Sequence, residues 1–312
     1  MKKTTFLRRL IERKNILVAP GCYNALTAKI VEKTGFEAAY LSGYGISVSL
    51  LGVPDVGLAT MTEMHNVARY VANAVQIPVI ADSDTGYGNA INVMRTVREY
   101  IQTGIAAIHI EDQITPKRCG HLAGKVLIPI DEAIGKFMAA DAVRRKMDPD
   151  FLIIARTDAR GAVGGSLDEA IFRANAYIKA GADIAFVEAP ISVDEVRKIA
   201  KKVKAPILYN IAGISPYIGI EELERIGIKI VIYPAISWRS TTRAYWDHLT
   251  DIKQRNSQAV LEFENQMKGH PLEDFNAFIG FPEIRQQEEK YLSREDVIKK
   301  YEETIGYNPS KK

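Results

Sequence analysis

The sequence predicts a (β/α)8 barrel, and three observations predict it. Eight short runs rich in β-branched and apolar residues recur at 16–19, 38–42, 79–82, 107–111, 152–157, 184–188, 206–210 and 229–233. Amphipathic stretches of helical period separate them, so strand and helix alternate, which implies parallel pairing through right-handed crossovers. No dinucleotide-type GxGxxG follows the first run, and eight repeats over about 250 residues favour closure into a barrel over an open doubly wound sheet.

Taken in order, the N-terminus opens with a basic start, but Arg8, Arg9, Glu12 and Arg13 interrupt any apolar stretch. No secretory signal is read there. Cys22 lies in the turn Pro20-Gly21-Cys22-Tyr23 after the first strand and reads as structural. Helical segments follow at 89–103, 167–180, 193–203 and 220–226, several closed by turns containing Gly104, Gly181 and Gly227. After Trp246 the pattern changes to long helical stretches, 257–268 and 282–292, with no strand between them. A barrel domain at 1–250 and a helical extension at 251–312, packing on the barrel or on a neighbouring subunit, are therefore expected.

The composition is that of a globular enzyme, with 47% hydrophobic and 25% charged residues among 312. Lys and Arg total 41 against 38 for Asp and Glu, a net charge of +3 with no long basic block. This gives no support for nucleic-acid binding. No apolar run approaches the roughly 20 residues needed to cross a bilayer, so a cytoplasmic protein without a membrane partner is expected. Two distant cysteines, Cys22 and Cys119, show no metal-finger or CxxC spacing and should be free thiols.

In a parallel barrel, chemistry gathers at the C-terminal ends of the strands. Polar side chains stand there on strands two to seven: Ser42, Asp82 and Asp84, Glu111, Arg156, Glu188 and Asn210. Asp82 and Asp84 are two apart on an extended segment, which places both carboxylates on one side, with Glu111 on the adjacent strand. Three hard oxygen donors without His or Cys suit Mg²⁺, with Mn²⁺ as the alternative ion. A carboxylate pair for acid–base work is the other meaning of this set.

The segment Lys117-Arg118-Cys119-Gly120-His121 carries the most information. A thiol beside Lys117, Arg118 and His121 should have its thiolate stabilised and exchange a proton near neutral pH. Glycines around 117–125 make this a loop able to close over a ligand. Arg156 and Arg239 can hold substrate carboxylates through bidentate hydrogen bonds.

These residues fall in motifs that identify a resemblance. Ser42-Gly43 with Gly52-Val53-Pro54-Asp55, Asp82-Ser83-Asp84-Thr85-Gly86-Tyr87-Gly88, His109-Ile110-Glu111-Asp112-Gln113, Lys117-Arg118-Cys119-Gly120-His121 and Ala155-Arg156-Thr157-Asp158-Ala159 resemble the isocitrate lyase and phosphoenolpyruvate mutase superfamily over residues 1–292. The Lys-Arg-Cys-Gly-His stretch is similar to the lyase signature, where the mutases carry an Asn-containing loop.

The resemblance implies that Asp82 binds Mg²⁺ directly and that Asp84 and Glu111 act mainly through water, with Asp55 close to the metal. It implies that Cys119 is the acid protonating the departing fragment, with Lys117, Arg118 and His121 around it. The substrate cradle is expected to include Tyr40, Ser42, Gly43, Tyr44, Asp55, Gly120, Arg156, Glu188, Asn210 and Arg239. A homotetramer exchanging C-terminal helices is also implied.

The substrate is then a small 2-hydroxy di- or tricarboxylate, cleaved at a carbon–carbon bond to pyruvate and a carboxylic acid. Tyr40 and a water held by the carboxylates are both open as the base. Tyr44 and the segment 275–291 resemble the 2,3-dimethylmalate lyase branch, whereas Arg239 matches a methylisocitrate lyase contact. An oxaloacetate hydrolase or decarboxylase, or a phosphonomutase-like enzyme, shares the same fold. A catalytically silent binding subunit is the reading from a different class.

Overall fold

In a computed structural model, which describes residues 1–309, eight parallel strands close into a barrel in the order of the sequence. The strands are β1 Leu17–Cys22, β2 Ala39–Leu41, β3 Val79–Asp82, β4 Ala107–Glu111, β5 Leu152–Thr157, β6 Ile184–Val187, β7 Ile207–Asn210 and β8 Ile230–Tyr233. β1 pairs with β8 in parallel, Leu17 opposite Ile230, which closes the ring. Around it run α1 Lys3–Glu12, α2 Ala25–Lys33, α3 Gly43–Ile46, α4 Met61–Ala74, α5 Ala90–Thr103, α6 Ile130–Met147, α7 Leu167–Lys179, α8 Val193–Lys202 and α9 Ile220–Ile226, and α10 Ile236–Arg255 follows β8 in the chain. The eight expected runs all became strands, each within three residues of its expected ends.

Strand periodicity decides what faces inward. Successive side chains alternate between the two faces, so Ile80 and Ala107, Leu152 and Ile154, Ile184 and Phe186, Leu208, and Ile230 and Ile232 fill the barrel interior. The intervening residues, such as Ile108, Ile110, Ile153 and Ala155, pack outward. From α1, Leu7, Leu10 and Ile11 join the interior cluster. The same alternation carries Asp82, His109, Glu111 and Arg156 inward at the opposite end, two residues beyond an interior position on each strand. A layered interior of this kind is a packed core rather than a pore.

Helix starts are specified locally. Asn24, Thr60 and Asn89 each form a capping box with the residue three positions on, satisfying amides that a helix leaves open at its start. Ser166 and Ser192 cap α7 and α8 through their hydroxyls. At the start of β6, the Asp183 carboxylate accepts from Arg8 at 2.9 Å, Arg144 at 2.9 Å and the Ile153 amide at 2.9 Å. One side chain thereby ties α1, α6, β5 and β6 together.

The chain divides into two compact units, Met1–Thr241 and Thr242–Lys312. The division falls inside α10, earlier than the expected limit at residue 250. The second unit continues with α11 Ser257–Met267, α12 Phe275–Ile279, α13 Phe281–Tyr291 and α14 Arg294–Tyr301. Within it Arg255 pairs with Asp251 and, at 2.8 Å, with Glu262. Among the described residues, no helix is long and apolar enough to cross a membrane.

Candidate active site

The C-terminal ends of the strands surround a cavity of about 260 Å³, slightly below the ~300–1,000 Å³ usual for drug-sized ligands. Tyr40, Asp82, Arg156, Glu188 and Asn210 reach it from β2, β3, β5 and the ends of β6 and β7. Ser42, Tyr44, Asp55, Cys119, Gly120, His121, Trp238 and Arg239 complete its wall from loops and helix starts. A second, more apolar groove of about 330 Å³, near Ile30, Val31, Phe36 and Ile236, has no carboxylate, thiol, imidazole or cation in its lining. The cavity at the strand ends brings carboxylates, a thiol, an imidazole and two arginines together.

Carboxylates form one side. Asp82 ends β3, and its Oδ1 accepts from the Asp84 amide at 2.9 Å. Asp84 has already left the strand, with φ +48°, so the two carboxylates are related by a tight turn rather than by the strand alternation expected. Behind Asp82, Lys117 Nζ lies 2.6 Å from Asp55 Oδ1 and 2.9 Å from Asp84 Oδ1. Asp84 Oδ1 and Glu111 Oε2 are buried and make no hydrogen bond, although Lys117 Nζ lies 2.9 Å from the first and Arg156 Nη2 3.2 Å from the second. Burial works against ionisation of Asp82, and neighbouring His109, Lys117 and Arg156 overcome it, holding this carboxyl below its usual range. Burial pushes the Asp84 carboxyl up to about 6, with Asp82 and Asp55 adding to the rise and Lys117 opposing it. Among the described residues, no three acidic, histidine or cysteine side chains already converge as ligands on one point.

The absence of a side chain at two glycines lets these groups approach. A Cβ at Gly43 would lie 2.5 Å from Asp82 Oδ2. One at Gly120 would run into Arg156 Nη2 and lie 2.5 Å from Glu188 Cγ. Any side chain at either position would displace a charged group of the cavity.

A flap carries the thiol. Residues 114–126 leave the barrel after β4 and return, closed by the Gln113 to Leu127 bridge and by the Ile114 amide donating to Val126 O at 2.9 Å. The Gln113 side chain grips Arg118 at both ends, Nε2 donating to its carbonyl at 2.8 Å and Oε1 accepting from its amide at 3.0 Å. The Cys119 amide donates to Asp55 O at 3.1 Å, which fixes the thiol in the wall. Lys125, fully buried, donates to Gly120 O and lies 3.5 Å from Asp158.

The electrostatics of Cys119 differ from the expectation. Lys117 is committed to Asp55 and Asp84, Arg118 is exposed and absent from the cavity wall, and His121 faces Glu188 at 3.3 Å and Asn210 at 3.2 Å. Burial pushes the thiol up, Asp55 and Glu188 add to that, and the His121 amide and Arg156 only partly offset it. Cys119 is thus a protonated thiol near neutral pH rather than a stabilised thiolate. Arg118 is corrected accordingly: it contributes its backbone to the flap and no side chain to the cavity.

Opposite the flap, Arg156 is held by Asp158 at 3.0 Å and 3.2 Å, Glu111 at 3.2 Å and Glu188 at 3.6 Å. Its guanidinium also stands 5.3 Å over the Phe186 ring. Such an anchored planar cation presents a fixed face to an anion. At the mouth, Tyr44 stacks on Trp238 with ring centroids 5.0 Å apart, and Arg239 lies beside that indole. Ser42 lines the cavity too, while its Oγ accepts from the Gly45 amide and starts α3. Gly43, Asp84, Glu111 and Lys117 stand just behind the wall rather than in it.

A model of the family described as phosphoenolpyruvate phosphomutase matches residues 7–253, the span that holds every group just described. The chain belongs to the phosphoenolpyruvate mutase/isocitrate lyase superfamily. Within that superfamily it is 43% identical to 2,3-dimethylmalate lyase of Eubacterium barkeri, covering 94% of this chain and 99% of the relative. It is 48% identical to 2-methylisocitrate lyase of Aeropyrum pernix, covering 81% and 80%. A crystal structure of 2,3-dimethylmalate lyase superposes with TM-score 0.85 at 34% identity, over 94% of this chain and 96% of that one. A phosphonopyruvate hydrolase in complex with oxalate and Mg²⁺ superposes with TM-score 0.84 at 30% identity, over 94% and 100%.

Sequence reasoning placed His109 and Gln113 in a motif but gave them no role, and it did not single out Trp238 or Lys125. His109 was detectable in principle, since it precedes Glu111 by two on β4 and must share its inward face. Trp238 and Lys125 had no such signal, because a helix start and a flap have no fixed period to read.

Proposed function

We propose that this superfamily member is a divalent-metal-dependent carbon–carbon lyase cleaving a small 2-hydroxy di- or tricarboxylate to pyruvate and a carboxylic acid. One observation carries this: a protonated cysteine thiol is held by its own backbone in the wall of a small cavity that also holds an anchored arginine and a bank of carboxylates. Two curated relatives over most of the chain are themselves carbon–carbon lyases.

The donor chemistry fits a hard divalent ion, Mg²⁺ or Mn²⁺. Asp82, Asp84 and Glu111 offer the hard carboxylate oxygens such an ion takes, and Asp84 Oδ1 and Glu111 Oε2 are buried without a hydrogen bond, facing only the Lys117 and Arg156 cations. Asp82 would hold the ion, with Asp84 and Glu111 acting through water, which accords with carboxylates that do not converge on one point. A bound divalent cation would supply Lewis-acid stabilisation for charge developing on a substrate oxygen.

The chain's own groups supply the rest. The substrate's hydroxyl proton passes to a water held by the carboxylates as the carbon–carbon bond breaks and the hydroxyl carbon becomes a carbonyl, while Arg156 receives a carboxylate and steadies the charge that builds on it. Cys119 then gives its proton to the carbon of the departing fragment. The flap that carries Cys119 keeps water from the carbanion. Tyr44 and Trp238 at the mouth face the substrate's side groups. The chain is further inferred to form a homotetramer in which C-terminal helices are exchanged, a reading supported by the exposed apolar residues of α10.

A pyruvate-release assay decides the substrate. Racemic 2-methylisocitrate, 2,3-dimethylmalate and oxaloacetate are offered with Mg²⁺ and with a chelator. Pyruvate is expected from one of the first two, only with the metal. Oxalate formed from oxaloacetate, with no pyruvate from the others, would replace the lyase by a hydrolase.

A further inference from the structure

His109 is wholly buried, and its ring lies between three groups. Its Nε2 is 2.8 Å from the Tyr40 hydroxyl and 3.5 Å from Asp82 Oδ1, while its Nδ1 has no partner. The ring stacks parallel to Tyr40 and meets Phe186 edge-on. The ring is wholly buried and its Nδ1 faces no acceptor, so a doubly protonated ring would leave a buried N–H unmatched, and the imidazole carries one proton on one of its two nitrogens.

The partners of the two nitrogens decide which one. Were Nε2 unprotonated, its lone pair would face both the Asp82 carboxylate and the Tyr40 oxygen, and a buried Nδ1–H would be left without an acceptor. An orphaned buried donor loses its whole desolvation energy. With the proton on Nε2, the N–H points toward the tyrosine oxygen and the anionic carboxylate, and only an acceptor at Nδ1 goes unfilled. The Tyr40 oxygen then accepts, and its own O–H is released from His109. Tyr40 lines the cavity.

We infer that His109, in its Nε2–H tautomer, is a positioning residue that turns the Tyr40 hydroxyl into a hydrogen-bond donor aimed at a substrate oxygen, so that Tyr40 binds the substrate and is not its base. A His109 ring whose Nε2 already carries a proton offers Tyr40 no acceptor for its phenolic proton, so the Tyr40–His109 pair does not make a base of the phenol. The inference rests on the carboxylate-lyase reading for the identity of the ligand, but the tautomer does not.

The test therefore has two independent arms on the full-length chain. In 15N-histidine-labelled protein, the signals that vanish in His109→Gln belong to His109, and they should show a protonated Nε2 and a bare Nδ1. In the second arm, oxalate with Mg²⁺ is the probe, because oxalate has no proton for a base to remove. Tyr40→Phe should weaken oxalate binding about tenfold, the scale of one hydrogen bond to an anion. His109→Leu should weaken it equally, and the double variant no further. His109→Gln, whose amide N–H can replace Nε2–H, should restore wild-type affinity.

A protonated Nδ1, or unchanged oxalate affinity in Tyr40→Phe, would overturn the assignment. If His109→Leu fails to fold, the labelled wild-type protein and Tyr40→Phe still decide it. Failure of the wild type to bind oxalate would count against the lyase reading, leaving the tautomer to be judged by its own spectrum.

Discussion

At the scale of single residues, Cys119 separates an acid from a nucleophile. An acid must hold its proton at working pH, and burial beside Asp55 and Glu188 keeps this thiol protonated. Cys119→Ser should therefore bind oxalate with Mg²⁺ as the wild type does, yet lose cleavage by about a hundredfold or more, the usual contribution of a general acid. Measured kcat and oxalate affinity give the two readouts. Because only the thiolate alkylates, a raised pKa leaves less of it at any given pH. Iodoacetamide should accordingly modify Cys119 more slowly than free cysteine at neutral pH, with the rate still climbing at pH values where free cysteine has levelled off. Faster modification than free cysteine would restore the stabilised thiolate. Most of this site was legible in the sequence because strand alternation points Asp82, Glu111 and Arg156 inward whatever the loops do. The sign of the thiol's shift was not, since three cations adjacent in sequence were each committed elsewhere: Lys117 to two aspartates, Arg118 to solvent, His121 to Glu188 and Asn210.

At the scale of elements, strands were readable and the flap was only partly so. Runs such as 79–82, 107–111 and 152–157 matched β3, β4 and β5 residue for residue, because a fully buried parallel strand is a continuous apolar run bounded by turns. Ser42 and Glu188, expected within strands, instead leave them, Ser42 to cap α3. The flap has no such period, and its order depends on tertiary hydrogen bonds from Gln113. Those bonds give a prediction at this scale. Arg118 is exposed on the flap, whereas Lys117 and Lys125 are buried, so trypsin should cut after Arg118 within this segment. Gln113→Leu removes both grips on Arg118, worth roughly 0.5–1.5 kcal/mol each, and should speed that cut about tenfold. Mg²⁺ with oxalate should slow it in the wild type. Cleavage indifferent to both the substitution and the ligand would mean that the flap does not close.

At the scale of the whole molecule, the apolar surface of α10 needs a partner. Tyr245, Leu249 and Ile252 recur at helical spacing and are 65%, 46% and 37% exposed, and neighbouring Trp246 is 74% exposed. A stripe of this kind on one helix is ordinarily buried, and aromatic side chains left in water mark an interaction surface. Helix periodicity made α10, α11 and α13 partly legible from sequence, but the surface that covers them was not, because a single chain's pattern shows which face is apolar and not what meets it. Association of identical chains would supply that cover with the least additional requirement. Sedimentation of the full-length protein should then give four times its 34.7 kDa chain mass. Trp246→Glu places a charge in the apolar face, which costs far more in a buried interface than in water, and should shift the protein to smaller species at micromolar concentration while its circular dichroism is retained. A wild-type chain sedimenting at 34.7 kDa would show that the stripe is tolerated in water and that the barrel works alone.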